Sequence, residues 1–107
     1  MITDLTAIKD RVFKACKLLL RITVLDTIAH IDDQAFAYCT NIAEYHLQST
    51  TPPTLSTANI FTQMSADCTI YVPPRCLEAY QTATNWSAYS SHMQEEPSEL
   101  HVDHYIF

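Results

Sequence analysis

Short runs of alternating apolar and polar residues punctuate the chain. Ile22 and Val24, Tyr45 and Leu47, and Ile70 and Val72 bracket Thr23, His46 and Tyr71. A period of two marks a strand with one buried face, which predicts strands over 20–24, 43–47 and 69–72. The stretch before each strand has a different habit. In "DQAFAYCTNIAEYHL", residues 33–47, a helical fragment breaks at Cys39-Thr40-Asn41 before the alternation begins. Each unit is therefore expected to be a short helical turn (about 10–15 and 33–38), a corner at Cys16 or Cys39, and a strand.

The habit repeats. A shift of 23 residues lays Ile8 on Ile31, Asp10 on Asp33, Phe13 on Phe36 and Cys16 on Cys39. The same shift lays Leu5 on Ile28, Leu19 on Ile42, Ile22 on Tyr45 and Val24 on Leu47. A looser copy follows with a shift of 25, placing Phe61, Met64, Ile70 and Val72 on Phe36, Cys39, Tyr45 and Leu47. The two extra residues fall in the Pro/Thr/Ser loop "QSTTPPTLSTAN". Asp67 lands where Leu19 and Ile42 sat, so Cys68 or Met64 is expected to fill that core space. Periods of 20–50 residues are the signature of stacked units, each unable to bury its apolar face alone. Successive units run the same way, so their strands should form a parallel ladder about 4.8 Å apart. The shift sets Arg21 beside Glu44, and it predicts one stack of Phe13, Phe36 and Phe61 and a second of Cys16, Cys39 and Met64.

The residues "IAHIDDQAFAYCTNIAEYHL" resemble the BspA-like leucine-rich repeat, roughly I-G-x-x-A-F-x-x-C-x-x-L-x-x-v-x-I. "TTPPTLSTANIF" and "CTIYVPPRCLEAYQTATNWSAYSSHM" resemble that family's terminal section: a TPP loop, a T-I-Y-V-P strand, a helix with L-x-A-Y and a final W-x-x-Y. The resemblance covers about residues 5–94. It implies an α/β fold: a right-handed leucine-rich-repeat-like solenoid with a short parallel sheet, one strand per coil, and a C-terminal helical cap. It also implies a recognition role, often on the surfaces of host-associated microbes, and supplies no catalytic residue. Two departures stand out. Lys9, Asp32 and Asn85 replace glycines of the pattern, and only two full repeats precede the end section.

Composition sharpens this picture. The chain has 107 residues, enough for one domain with a modest core. That domain is expected over 1–94, with repeats about 5–27 and 28–50, a terminal section 51–94, and a tail 95–107. Glycine is absent, where average usage gives about seven. Turns needing positive φ must use other residues at some cost, and Asp32, Asn41, Asn59 and Asn85 are the natural candidates. Net charge is −6, which disfavours nucleic acid, since phosphate binding needs a basic stripe. Lys9, Arg11, Lys14, Lys17 and Arg21 read as a solvated face. "MITDLTAIKDRVFKACKLLL" lacks the h-region and cleavage site of a signal peptide, and no apolar run approaches the ~18 residues that span a membrane. The chain is expected to be cytoplasmic, virion-borne or cut from a longer secreted parent.

Candidate chemistry is sparse. Cys16, Cys39, Cys68 and Cys76 are even in number, but Cys16 and Cys39 share one repeat position, where a free thiol acts as a small hydrophobe. His101-x-x-His104 with Asp103 forms an incomplete metal pair, since zinc wants four fixed ligands. No serine sits in a nucleophile elbow. Leu77, Tyr80, Trp86 and Tyr89 read as the apolar face of the cap rather than an aromatic cage. Pro73 and Pro74 are expected to end the last strand and preset a helix to about Thr82. No catalytic residue, metal or cofactor is expected.

The outward positions remain. Thr23, His46 and Tyr71 should form a ladder across the sheet, with Arg21, Glu44 and Thr69 as the row beside it. Tyr and Arg are enriched where interfaces concentrate their energy, so these residues are the expected binding surface for a protein partner. Strand 20–24 is expected to be an open edge that pairs with another chain, forming a homo-oligomer, or lies under the tail 95–107. The leading function is a non-enzymatic recognition module. The alternative is a structural or assembly protein, virion-borne in one form, docking through that open edge. A third reading is the end of a larger adhesin without function of its own.

Overall fold

A computed structural model of the protein describes residues 7–8 and 13–96. Its elements are β1 (Ala7–Ile8), β2 (Arg21–Val24), β3 (His30–Ile31), β4 (Glu44–Leu47), β5 (Thr54–Leu55), β6 (Thr69–Val72), α1 (Leu77–Thr82), a 3-10 helix (Ser87–His92) and β7 (Met93–Glu95). Strands β2, β4 and β6 fall within one residue of the spans expected from alternation. They pair in parallel, with Arg21 opposite Glu44, Ile22 opposite Tyr45, and Glu44 opposite Thr69. The register is the one set by the repeat shifts of 23 and 25.

Two features of the sheets were not foreseen. A second parallel sheet, β1-β3-β5, runs along the coils. Strand β7 adds a fourth strand to the main sheet beside β6, giving the order β2-β4-β6-β7. It crosses the boundary at 94/95 expected between domain and tail. The described part of that tail, Glu95 and Glu96, thus lies at the edge away from β2, and residues 97–107 lie outside the described residues.

The expected helical turn at 33–38 is a run of separate turns instead. Ala35, Ala37 and Cys39 each donate a backbone bond to the carbonyl three residues back. Positive φ at Gln34 (57°) and Tyr38 (62°) prevents these turns from joining into a helix. The corner is copied in each coil: Ala15, Tyr38 and Gln63 all take positive φ, each one residue before Cys16, Cys39 or Met64. Of the four residues expected to do so, only Asn85 does; Asp32, Asn41 and Asn59 do not. The position is set by where the coil must bend, and a non-glycine residue held there costs roughly 1–2 kcal/mol. Neighbouring coils hold the bend. Phe13 and Ala15 donate to the carbonyls of Ala35 and Ala37, and Phe36 and Tyr38 donate to those of Ile60 and Thr62.

The core follows the stacked positions. Phe13 stacks on Phe36 at 5.4 Å and Phe36 on Phe61 at 5.8 Å, with rings nearly parallel. Tyr45 meets Phe36 and Phe61 edge-on. Its hydroxyl is buried without a hydrogen-bond partner, and that burial pushes its pKa up. Cys39 is buried in the core, against which Cys16 and Met64 pack partly buried, and it donates its Sγ–H to the Phe13 carbonyl at 2.8 Å. Cys68 is buried where Asp67 failed the pattern.

At the C-terminal end the prolines do not start a helix. Cys76 donates to the Pro73 carbonyl across a turn whose third residue, Arg75, has φ of 69°. Helix α1 begins after it, at Leu77. Tyr80 and Trp86 are buried and Tyr89 is half-buried. Tyr80 donates to the Ser49 carbonyl, Asn85 to Leu55, Trp86 to Pro53 and Tyr89 to Ala58. These bonds tie the helical segment to the 49–58 stretch that contains β5, which satisfies carbonyls along it that strand pairing leaves open.

Two substitutions test this core by chemical denaturation. Phe36→Ala removes the middle ring of the stack and should cost about 3–5 kcal/mol. A loss under about 1 kcal/mol would place the ring outside the core. Tyr45→Phe removes a hydroxyl buried without a partner and should raise stability, by about 1 kcal/mol or more.

Candidate functional site

The outer face of the main sheet is built by the pleat. Alternation sends Ile22, Val24, Tyr45, Leu47, Ile70 and Val72 inward, and register aligns the residues between them. Thr23 lies opposite His46, His46 opposite Tyr71, and Tyr71 opposite Gln94. The ladder thus reaches one rung beyond its expected end. Arg21, Glu44 and Thr69 form the neighbouring row. Arg21 Nε lies 3.9 Å from Glu44 Oε1, a long surface pair that marks register more than it stabilises.

His46 is the centre of this face. Its ring stacks on Tyr71, with centroids 4.8 Å apart and planes 12° from parallel. Its Nε2 lies 2.7 Å from Glu44 Oε1 and its Nδ1 lies 2.8 Å from Glu96 Oε2. Ionised carboxylates only accept hydrogen bonds, so the form that satisfies both contacts is the doubly protonated imidazolium. Burial works to lower the pKa of His46, but the bonds to Glu44 and Glu96 and their charges outweigh it and raise it above the usual value. The hydrogen bond from His46 holds Glu44 below the usual carboxylate range, against some desolvation and with help from Arg21. Glu96 is in turn placed by its backbone N–H, which donates to the Val72 carbonyl. One charged ring therefore connects β4 to the residue just after β7, across β6.

The sequence placed Arg21, Thr23, Glu44, His46, Thr69 and Tyr71 on one face, and they share it. Gln94 and Glu96 were missed. Neither lies in an alternating run, and Glu96 reaches His46 only because β7 turns back along β6.

The N-terminal end of the sheet is different in kind. Among the described residues β2 has a neighbour on one side only. Beside it Leu18, Leu20 and Leu25 are 94%, 66% and 44% exposed. A cavity of about 160 Å³ opens there, lined mainly by Ile8, Phe13, Ile22, Val24, Leu25 and Phe36. Lys14 lies over the Tyr38 ring, and Lys17 Nζ donates to the Tyr38 carbonyl and to Thr40 Oγ1. Lys9 and Arg11, and the pair His101 and His104 with Asp103, lie outside the described residues. All four cysteines are free thiols, and burial pushes Cys68 up to about 11. No group of metal-ligating side chains occurs among the described residues. No helix among them is long and apolar enough to cross a membrane.

The His46 network predicts a pH dependence. A histidine whose folded pKa is raised contributes stability that is fully present below its unfolded value, near 6.5. That contribution is lost as pH rises through the folded pKa. Protection of the β7 amides from hydrogen exchange should therefore fall across that range, and His46→Gln should flatten the dependence. Unchanged protection in the wild type would mean that the ring does not hold β7.

Comparison with known proteins fits this geometry. The family model described as a BspA type leucine rich repeat region (6 copies) matches residues 2–87. No curated protein matches the chain. A match over most of the chain, together with coils stacked in parallel at the repeat shift, fixes the assignment: the chain belongs to the BspA-type leucine-rich repeat family.

Proposed function

We propose that the chain is a non-enzymatic recognition module that binds a protein partner with the outer face of its main sheet. The module is one right-handed solenoid, the domain expected over residues 1–94 extended by β7 to Glu96, with the helical segment packed at its C-terminal end. Membership of a repeat family whose domains serve protein interaction supports the general reading. One observation carries the choice of surface. The ladder Thr23-His46-Tyr71-Gln94 is continuous, and its central rings are stacked and held by carboxylates at both imidazole nitrogens. A surface already fixed in place loses little side-chain entropy on binding. Tyr71 is the anchor, and Arg21, Glu44 and Thr69 complete the patch.

A second reading is favoured by β2. It is a structural or assembly role, in which the open edge docks on another chain. Light scattering tests the self-associating form of this reading, a stable homo-oligomer through strand 20–24, and leaves docking on a different chain to binding measurements.

For the first reading the test is His46→Ala with Tyr71→Ala. Folding should persist, as judged by circular dichroism. Affinity for a captured protein partner should fall by roughly 30-fold or more, the loss typical of hot-spot residues. Unaltered affinity would move the site off this face.

A further inference from the structure

We propose that the open side of β2 takes an extended, acidic segment of another protein as an added parallel strand. This rests on the second reading above and names the chemistry of its partner. The backbone sets the docking mode. Leu20 O accepts from Ala43 N and Val24 O from Gln48 N. In a parallel ladder a residue turns both of its polar groups to one side. Leu20, Ile22 and Val24 therefore face β4, while Arg21 and Thr23 present N–H and C=O to the open side. Among the described residues Arg21 is the strand's one charge, and no element covers its edge. The strand contains no proline and no inward-facing charge, and it is flanked by exposed leucines.

The side chains set the sequence of the guest. The cavity at this end is walled by Phe13, Ile22, Val24 and Leu25, so the guest's inward residues must be apolar. Arg21 is 75% exposed, with Glu44 3.9 Å away on the β4 side. A second carboxylate on the open side meets the same guanidinium. Asp26, just beyond the strand's other end, disfavours an acid there, which orients the guest parallel to β2. Long-range charge agrees. Among the described residues, 13–24 hold Lys14, Lys17 and Arg21 and no acid, a net +3, while 25–96 hold Arg75 against eight Asp or Glu, a net −7. The open end is thus the positive pole of an acidic chain and draws acidic segments toward it.

The same facts disfavour a second copy as occupant. Two β2 edges meeting would bring two positive poles together. Docking β7 on β2 in the sheet's register fails differently, because Glu95 lies in the inward column opposite Val72 and would fall beside Val24.

Strand β4 already has the required pattern, with Glu44 beside Arg21 and Tyr45 and Leu47 inward. Its sequence supplies the probe, a synthetic peptide of residues 42–48, IAEYHLQ. Adding it to the full chain should shift the backbone amide resonances of Arg21, Thr23 and Leu25. A peptide with lysine in place of the glutamate should bind at least about threefold more weakly, as opposite- and like-charge cross-strand pairs differ. Arg21→Glu, at an exposed side chain that leaves the fold intact, should reverse that preference. Thr23→Pro removes only an outward N–H and should abolish binding of both peptides. Binding to neither peptide, equal binding to both, or binding that survives Thr23→Pro would overturn the proposal. So would a concentration-dependent oligomer that Thr23→Pro dissolves, which would give the edge to a second copy. The variant with both His46→Ala and Tyr71→Ala should bind the acidic peptide normally, so failure at the edge and failure on the outer face remain distinct.

Discussion

A four-residue strand with two inward side chains cannot bury them alone. Each coil of this chain buries its apolar face only against the next, so coil-to-coil register is the constraint from which the rest follows. The phenylalanines enforce it. Phe13, Phe36 and Phe61 stack at 5.4 and 5.8 Å, and a slip of one residue would turn every inward side chain of a strand to solvent. The backbone bonds between corners fix the same register from the other side of the coil. With the register set, His46 meets Tyr71 across the strands, and the outer ladder is built without further instruction.

The sequence disclosed what repeats and hid what does not. The shift of 23 residues is carried by large apolar side chains, whose placement is costly to change, so strands β2, β4 and β6 and their pairing could be read directly. The second sheet could not. Its strands are two residues each, too short for any period to show. The turns at 33–38 imitate a helix because Ala35, Phe36 and Ala37 are good core residues in either form. Only the backbone shows the breaks at Gln34 and Tyr38. Asn and Asp were expected at the left-handed corners because they tolerate them best. The coil bends one residue before its sulfur-bearing position, however, and alanine, tyrosine or glutamine accepts the strain there.

The candidate site divides in the same way. Its six expected residues share a face because the pleat and the repeat both require it. The ring's second carboxylate could not be found from the chain, since Glu96 lies fifty residues from His46. It arrives through β7, whose placement depends on the end section packing against β6. That placement makes His46 a joint between the repeated coils and the segment that ends them.

The absence of glycine reaches beyond the corners it burdens. Glycine gives an unfolded chain its greatest backbone freedom, and a chain without it has fewer conformations to surrender on folding. The left-handed bends at Ala15, Tyr38 and Gln63 raise the energy of the folded state, while the stiffer unfolded chain lowers the entropy it must lose. The two effects oppose each other at every coil. The protein thus holds its shape with a tense backbone and a denatured ensemble restricted from the start, a balance that depends on the unfolded state as much as on any contact in the folded one.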